Sequence, residues 1–186
     1  RDQPRSRGLG DVYKRQDVYS MTIYTGIIMK MIRGLKYHRK KDLAYYHAKL
    51  MYDYWKELHE DEEEYIIVPV PMHKTREKQR GYNHMNLIAQ EFAKLSGYEI
   101  NTNLIYRTKN TTPQYALSKE ERESNLKNAF GINTKNIKLL RGKKILILDD
   151  IITTGTTISE MVSTLRSADY HVVKAFTASC SEFNIN

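Results

Sequence analysis

The chain has 186 residues, a length typical of one domain with a single hydrophobic core. No apolar run approaches the roughly 20 residues of a membrane span and no secretory signal is recognisable, so we expect a soluble, cytoplasmic protein. The one cysteine, Cys180, excludes an internal disulfide and a multi-cysteine metal site, and we predict that it packs in the core.

The net charge of +8 is unevenly distributed along the chain. Residues 1–16, "RDQPRSRGLGDVYKRQ", contain five basic and two acidic side chains. They have no initiator methionine and no apolar period, and they resemble translated adapter or vector sequence, so we exclude them from the fold. The remaining domain, residues 17–186, has an excess charge of about +5, which is mild for a nucleic-acid-binding protein.

Two amphipathic helices are predicted at the start of the domain. Apolar residues follow the helical period from Tyr24 to Leu35 and again from Leu43 to Leu58. The basic stretch 30–41 and the acidic run 60–64 are typical of solvated faces. The tyrosines and the tryptophan of the second helix are typical of a core rather than of a base-stacking surface.

Strands and helices alternate in the rest of the chain. The segment "YIIVPVP", Tyr65–Pro71, predicts a buried strand, and the next apolar face predicts a helix. A strand to about Arg107 and another near 129–132 flank the long polar stretch 109–128, a length typical of a functional lid or of disorder.

The last third of the chain completes the alternation. "KKILILDD" predicts a buried strand, "TTISEMVSTLRSA" a helix and "HVVKAFTASC" a second buried strand. Strands that alternate with helices indicate an α/β fold with a central, mainly parallel sheet flanked by helices.

The segment "ILILDDIITTGTT", Ile145–Thr157, carries the clearest chemistry. Its strand ends at Asp149 and Asp150, on the edge where open α/β sheets bind ligands. The following loop has small side chains, so its backbone N–H groups can approach an anion at a helix N-terminus. The carboxylates would repel a phosphate but suit ribose hydroxyls or Mg²⁺, so the pattern indicates a phosphorylated ribose. A helix-capping Asp turn would explain only one aspartate and one threonine.

This segment resembles the phosphoribosyl-pyrophosphate signature of type I phosphoribosyltransferases. A Walker A loop would need Gly-Lys-Ser/Thr, and a dinucleotide fingerprint would need more than one glycine. Upstream, "GLKYHRKKDLA", "VPVPMHKTREKQRGYNHMNLIAQEFA" and "RTKNTTPQYALSKEERESNLKNAF" are similar to sequences of the ComF family, the competence-protein-F type. Members of that family commonly carry an N-terminal zinc ribbon, and none is present in this sequence. This indicates either a short variant or a gene cut just after the ribbon, and the unusual leader favours truncation.

The resemblance implies a role for each matching position. Asp149 and Asp150 would bind the ribose 2′ and 3′ hydroxyls and, with Arg80, form the catalytic set. The 5′-phosphate would bind to the loop Thr153, Thr154, Gly155, Thr156 and Thr157. The pyrophosphate loop, whose cations would neutralise the leaving group, would comprise Pro71, His73, Lys74, Arg76, Arg80 and Gly81.

The resemblance also implies a lid and a hood. The polar stretch 109–128 would close over the pyrophosphate and exclude water, with Arg107, Gln114, Arg122 and Asn125 at its signature positions. Capping of a short helix within the lid explains Arg122 and Asn125 equally well. Lys36 would lie in a helical hood, residues 17–64, above a core of residues 65–186, although an ordinary basic helix end explains it too.

The histidines do not indicate a metal site. None of the six has HxH or HExxH spacing, so we expect no metal held by the protein alone, and Mg²⁺ would arrive with phosphoribosyl pyrophosphate. His73 and His84 flank the pyrophosphate loop and could hydrogen-bond the ligand, but exposed histidines without a role are the simpler interpretation.

These features predict a phosphoribosyltransferase that releases pyrophosphate when a nucleophile attacks C1′. The sequence is compatible with three kinds of acceptor: a purine or pyrimidine base, ammonia or an amine. ComF proteins are associated with DNA uptake, so the alternative is an accessory of the competence machinery that contacts single-stranded DNA through Lys30–Lys41 and Lys135–Lys144. A regulator that binds a nucleotide without turnover is a third reading, and a homodimer is compatible with all three.

Overall fold

The computed structural model describes residues 18–58, 63–108, 129–133, 135, 142–170 and 173–181. The strands described are β1 (Val18–Ile23), β2 (Tyr65–Pro69), β3 (Glu99–Ile100), β4 (Ile105–Arg107), β5 (Phe130–Ile132), β6 (Lys144–Ile152) and β7 (Val173–Cys180). Within those residues, five strands form a sheet in the order β1-β7-β6-β2-β3, and every neighbouring pair is parallel. The predicted α/β class with a parallel central sheet is confirmed.

The helices described are α1 (Gly26–Tyr37), α2 (Leu43–Leu58), α3 (Lys74–Arg80), α4 (His84–Ser96) and α5 (Thr156–Ser167). The helices predicted from apolar periodicity are confirmed as α1, α2, α4 and α5. The helix α3 was not predicted, because its seven residues are polar or charged and none is buried.

The central strand β6 divides the core into two layers. Ile145 and Ile147 pack toward α5, whereas Leu146 and Leu148 pack toward α2 and α4. This alternation is the ordinary geometry of a strand, in which successive side chains point to opposite faces. Every one of these four side chains is completely buried, which explains why the sequence reads as a continuous apolar run.

The N-terminal part of the domain contributes a strand to the central sheet. Val18–Ile23 pairs in parallel with β7 and forms one edge of the sheet. On α2, Met51 and Trp55 are buried against the sheet together with Phe92 of α4. The predicted core role of Trp55 is confirmed, and Cys180 is buried as predicted.

A short antiparallel ribbon forms the base of the long polar stretch. Ile105–Arg107 pairs with Phe130–Ile132, and the two strands lie where the sequence predicted them. The ribbon packs on the α5 side of the sheet, where Ile105 and Phe130 join the core. The stretch 109–128 between the two strands lies outside the described residues.

None of the helices in the described ranges combines the length and the apolar character of a membrane-spanning segment.

Candidate functional site

The acidic pair lies at the carboxyl end of β6, next to the carboxyl end of β2. Leu148 is paired with Pro69, so both strands end at the same edge of the sheet. Side-chain alternation directs Asp149 toward the α5 face and Asp150 toward the face that α2 and α4 cover. The two carboxylates therefore have different surroundings, although they are adjacent in sequence.

Asp150 is the centre of a buried ionic cluster. Its Oδ2 atom lies 2.6 Å from Nζ of Lys36 and 2.8 Å from Nε2 of His84. Only 3% of Asp150 is exposed, and its backbone carbonyl accepts a hydrogen bond of 3.0 Å from the hydroxyl of Ser179. Burial alone would raise the pKa of Asp150, but the Lys36 cation and the hydrogen bond from His84 hold it well below its usual range.

Lys36 reaches this cluster from the last turn of α1. Burial works to lower the pKa of Lys36, but the charge of Asp150, its hydrogen bond and the charge of Asp149 together outweigh burial and raise the pKa, so the ammonium is charged at neutral pH. The hydroxyl of Tyr82 donates to the carbonyl of Leu35, which fixes this end of α1 against the turn between α3 and α4. The structure thus brings Lys36 to the acidic pair rather than only to a hood above the site.

His84 is buried at the first position of α4, and this corrects its interpretation as an exposed loop histidine. Only 6% of it is exposed. The preceding residue, Asn83, caps the helix by accepting from the backbone N–H groups of Met85 and Asn86 at 3.0 and 3.3 Å. The polar residues around His84 are typical of a loop. The burial of His84 is explained only by its contact with Asp150, which lies 66 positions further along the chain.

Arg80 completes a chain of contacts that begins at Lys36. Its Nη1 atom lies 2.8 Å from Nδ1 of His84, and its guanidinium lies over the ring of Tyr37 at 5.9 Å from the centroid. Since arginine only donates, Nδ1 accepts and the histidine proton is on Nε2, facing Asp150. Burial also lowers the pKa of His84, which agrees with a neutral ring.

His47 of α2 lies beside the cluster without joining it. It is completely buried, and among the described residues neither ring nitrogen has a hydrogen-bond partner. Burial lowers its pKa to about 4, and the charge of Asp150 only partly opposes this effect. His47 is therefore neutral at physiological pH, and it was not singled out from the sequence.

Asp149 lies near Arg107 on the other side of the sheet. Burial and the neighbouring Asp150 charge raise the pKa of Asp149 to about 7, while Lys36 and Arg107 act in the opposite direction. Burial and the charge of Arg76 lower the pKa of Arg107 to about 10, so it stays protonated. Arg107, from the predicted lid segment, thus lies near both Asp149 and Arg76 of the predicted pyrophosphate loop.

The loop after the acidic pair has the backbone geometry that an anion site needs. Gly155 has φ +77°, in the left-handed region that favours glycine, and it precedes the first turn of α5. Having no side chain, Gly155 leaves the helix amides unobstructed. The hydroxyls of Thr154 and Thr156 lie 2.8 Å apart, and Thr153 and Thr157 complete the loop.

The predicted pyrophosphate loop is largely the helix α3 in this structure. His73 caps that helix, because its Nδ1 accepts from the backbone N–H of Thr75 at 3.2 Å. Gly81 ends it with φ +85°, and the space where a Cβ would lie is open. Gly81 is therefore explained by backbone conformation rather than by close packing. Pro71 and Lys74 lie at the start of this segment, at the carboxyl end of β2.

Three of the four predicted lid residues, Gln114, Arg122 and Asn125, lie outside the described residues. The fourth, Arg107, ends β4, and its guanidinium lies 5.0 Å above the ring of Phe130.

The chain resembles proteins connected with competence and DNA utilization. It is 35% identical over 100 residues to competence protein F of Haemophilus influenzae, covering 54% of this chain and 43% of that protein. It is 29% identical over 153 residues to the DNA utilization protein YhgH of Salmonella typhimurium, covering 81% and 66% respectively. Competence protein ComFC of Bacillus subtilis is 30% identical over 94 residues, covering 50% and 35%.

These alignments span about one third to two thirds of the relatives' own length. They confirm the ComF-type resemblance, and the phosphoribosyl transferase domain family matches residues 48–179, more than half of the chain. That range contains the acidic pair, the threonine loop and α3. The chain belongs to the phosphoribosyl transferase domain family.

Proposed function

We propose that this chain binds phosphoribosyl pyrophosphate with Mg²⁺ and transfers the phosphoribosyl group to a nucleophile, with release of pyrophosphate. The observation that carries this proposal is the meeting of β2 and β6 at one sheet edge. β6 leads through Asp149 into the threonine loop, and β2 leads into the basic helix α3. A carboxylate for a diol, an amide cradle for a phosphate and cations for a diphosphate are thus adjacent.

Asp149 is the better candidate for the ribose contact. The Oδ2 atom of Asp150 already accepts from Lys36 and His84, and only 3% of the residue is exposed, so little of this carboxylate is accessible to a ribose hydroxyl. Asp149 is partly exposed and borders Arg107 instead. We therefore assign the diol to Asp149, the 5′-phosphate to Thr153–Thr157, and the anchoring of the surrounding cations to Asp150.

In the proposed function Mg²⁺ would bind together with the phosphoribosyl pyrophosphate. Within the described ranges no group of three His, Cys, Asp or Glu residues is placed to hold a metal. Mg²⁺ is commonly bound by one or two carboxylates together with substrate phosphates, and Asp149 would supply the protein oxygen. The ion would add positive charge next to the pyrophosphate oxygens.

The reaction would need little covalent chemistry from the protein. An incoming nucleophile forms a bond to C1′ as the bond from C1′ to the pyrophosphate oxygen breaks, and the leaving group takes the electron pair. Arg76, Arg80 and Arg107 stabilise that developing negative charge, while Asp149 and the threonine loop hold the sugar still.

A pyrophosphate-release assay tests the activity. The unaltered chain is mixed with phosphoribosyl pyrophosphate, Mg²⁺ and one of adenine, hypoxanthine, uracil, orotate or ammonia. Release that depends on one acceptor and is lost in Arg80→Ala supports the transferase. Binding without release for any acceptor would instead support a ligand-responsive regulator.

A second candidate function, contact with single-stranded DNA, is favoured by a different surface. A groove of about 870 Å³ lies between α1 and α2, and the basic residues Lys30, Arg33, Lys40 and Lys49 line it. Tyr46 lines the groove and its ring contacts that of Tyr45. These two tyrosines are 60% and 45% exposed, which corrects their interpretation as core residues. Cations with exposed aromatic rings suit single strands, and several relatives are named for DNA utilization or competence.

Fluorescence anisotropy with labelled oligo(dT) tests this candidate. Binding that weakens with salt and is lost when Tyr45 and Tyr46 are both changed to Ala supports it, because charge and stacking act together. Binding that is unchanged in this double variant would exclude the groove as the DNA site.

A further inference from the structure

His84 joins the acidic pair to the predicted pyrophosphate-binding cations. Its Nε2 lies 2.8 Å from Oδ2 of Asp150 and its Nδ1 lies 2.8 Å from Nη1 of Arg80. Arg80 can only donate and the Asp150 carboxylate can only accept, so the neutral ring satisfies both partners at once. A doubly protonated ring would instead turn an N–H toward the guanidinium.

Arg80 is held at two points by this arrangement. One of its five N–H groups is used for His84, and its guanidinium carbon lies 5.9 Å from the centroid of the Tyr37 ring. The rest of the guanidinium fork keeps the geometry that suits a phosphate or diphosphate. An arginine fixed before the ligand arrives loses less conformational entropy on binding than a mobile one.

The ring of His84 is itself well fixed. Only 6% of His84 is exposed, and the residue begins the capped helix α4. Its carboxylate partner, Asp150, is held in turn by Lys36 of α1. His84 contacts Asp150 and Arg80, whereas the threonine loop follows β6 and leads into α5. The diphosphate end and the 5′-phosphate end of the proposed ligand are thus assigned to two different segments of the chain.

We propose that His84 is a positioning residue, which transmits the fixed location of Asp150 to Arg80 and so prepares Arg80 for the diphosphate end of the ligand. This inference rests on the proposed function. It adds that Arg80 contributes through His84 to diphosphate affinity, whereas ribose 5-phosphate binds without this support.

Calorimetry with two ligand fragments tests the proposal. Inorganic pyrophosphate and ribose 5-phosphate, each with Mg²⁺, are titrated into the unaltered chain and into His84→Leu. We expect His84→Leu to weaken pyrophosphate binding about tenfold and to leave ribose 5-phosphate within about twofold. His84→Gln should restore most of the pyrophosphate affinity, because an amide also offers one donor and one acceptor. If His84→Leu does not fold, His84→Asn takes its place, since its shorter amide cannot span both partners.

The Arg80→Ala background separates positioning from general structure. There, removing the His84 ring should have no further effect on pyrophosphate, because nothing remains to be positioned. The inference would be overturned, with the proposed function left intact, if removing the His84 ring weakened both ligands equally. The same would follow if it weakened pyrophosphate binding equally in the unaltered and Arg80→Ala backgrounds. Failure of the unaltered chain to bind either ligand would overturn the proposed function and this inference together.

Discussion

Asp149 and Asp150 are consecutive residues whose carboxylates serve opposite faces of the central sheet. Asp150 is enclosed by Lys36 and His84 on the face of α1 and α4, and Asp149 borders Arg107 on the face of α5. Asp150 is buried with two protein partners, whereas Asp149 is partly exposed and is the carboxylate that a ligand can reach.

The affinity for phosphoribosyl pyrophosphate should depend on the ionisation of Asp149. Its pKa is raised to about 7 by burial and by Asp150, and only the ionised carboxylate accepts from both ribose hydroxyls. Asp149→Asn should therefore weaken binding strongly at pH 8 and much less at pH 6, as calorimetry across this range would show. Parallel pH profiles for the variant and the unaltered chain would contradict this role.

The same raised pKa predicts that Asp149→Asn stabilises the protein at alkaline pH. A native pKa above the unfolded value of 3.8 means that the folded state binds more protons between about pH 4 and 7, so stability falls as pH rises through that window. The melting temperature of Asp149→Asn should exceed that of the unaltered chain at pH 8, and the gain should shrink toward pH 4. If Asp149→Asn and the unaltered chain had the same melting temperature at every pH, a raised pKa of Asp149 would be excluded.

His47 should produce the opposite pH dependence. Its pKa of about 4 in the folded state lies below the unfolded value of 6.5, so the unfolded chain binds the extra proton and stability is lost as pH falls from about 6.5 to about 4. Relative to the unaltered chain, His47→Leu should gain stability over this window, by up to about 3 kcal/mol. Denaturant titrations at pH 4.5 and 7.5 measure this gain in the free energy of unfolding. His38→Leu serves as the control, because His38 is exposed.

The Lys36–Asp150 ion pair should be costly to break from one side. Lys36→Met leaves a buried carboxylate with His84 alone, and we expect a loss of about 3 kcal/mol in the free energy of unfolding. The double variant Lys36→Met, Asp150→Asn should recover part of that loss, because it buries no unpaired charge. Strictly additive effects of the two changes in a double-mutant cycle would show that the pair is not coupled.

Gly155 should be needed for both conformation and binding. Gly155→Ala places a Cβ at φ +77°, which should cost about 1 kcal/mol of stability and weaken ribose 5-phosphate binding. Gly97→Ala is a matched control, because Gly97 has φ +75° at the end of α4, with nothing within 4 Å of its added Cβ. Equal ligand affinity in the two variants would remove the threonine loop from the binding site.

The local elements of the fold were predictable because their patterns are contained in short segments. The apolar run from Ile145 to Leu148 indicated a buried strand, and the spacing of apolar residues on α5 indicated a helix. β1 was missed because Val18–Ile23 directly follows the excluded leader. Most of its residues are only half-buried, so the strand has no clear apolar pattern. α3 and β3 were missed because one has no buried face and the other has two residues.

The composition of the site was predictable, but its internal connections were not. Asp149, Asp150 and the threonine loop form one continuous motif, which local chemistry can interpret. The contacts of Asp150 with Lys36 and His84 cross long stretches of chain, and the burial of His84 and His47 depends on how α1, α2 and α4 meet β6. Helix packing of this kind leaves no short signal in the sequence.

The most direct test of the account is calorimetric titration of the unaltered chain with phosphoribosyl pyrophosphate and Mg²⁺ at pH 8, beside Asp149→Asn and the exposed control Asp53→Asn. We expect micromolar binding by the unaltered chain and by Asp53→Asn, and loss of this binding in Asp149→Asn. Binding that survives unchanged in Asp149→Asn, or no binding by the unaltered chain, would contradict a sugar-phosphate site at the end of β6.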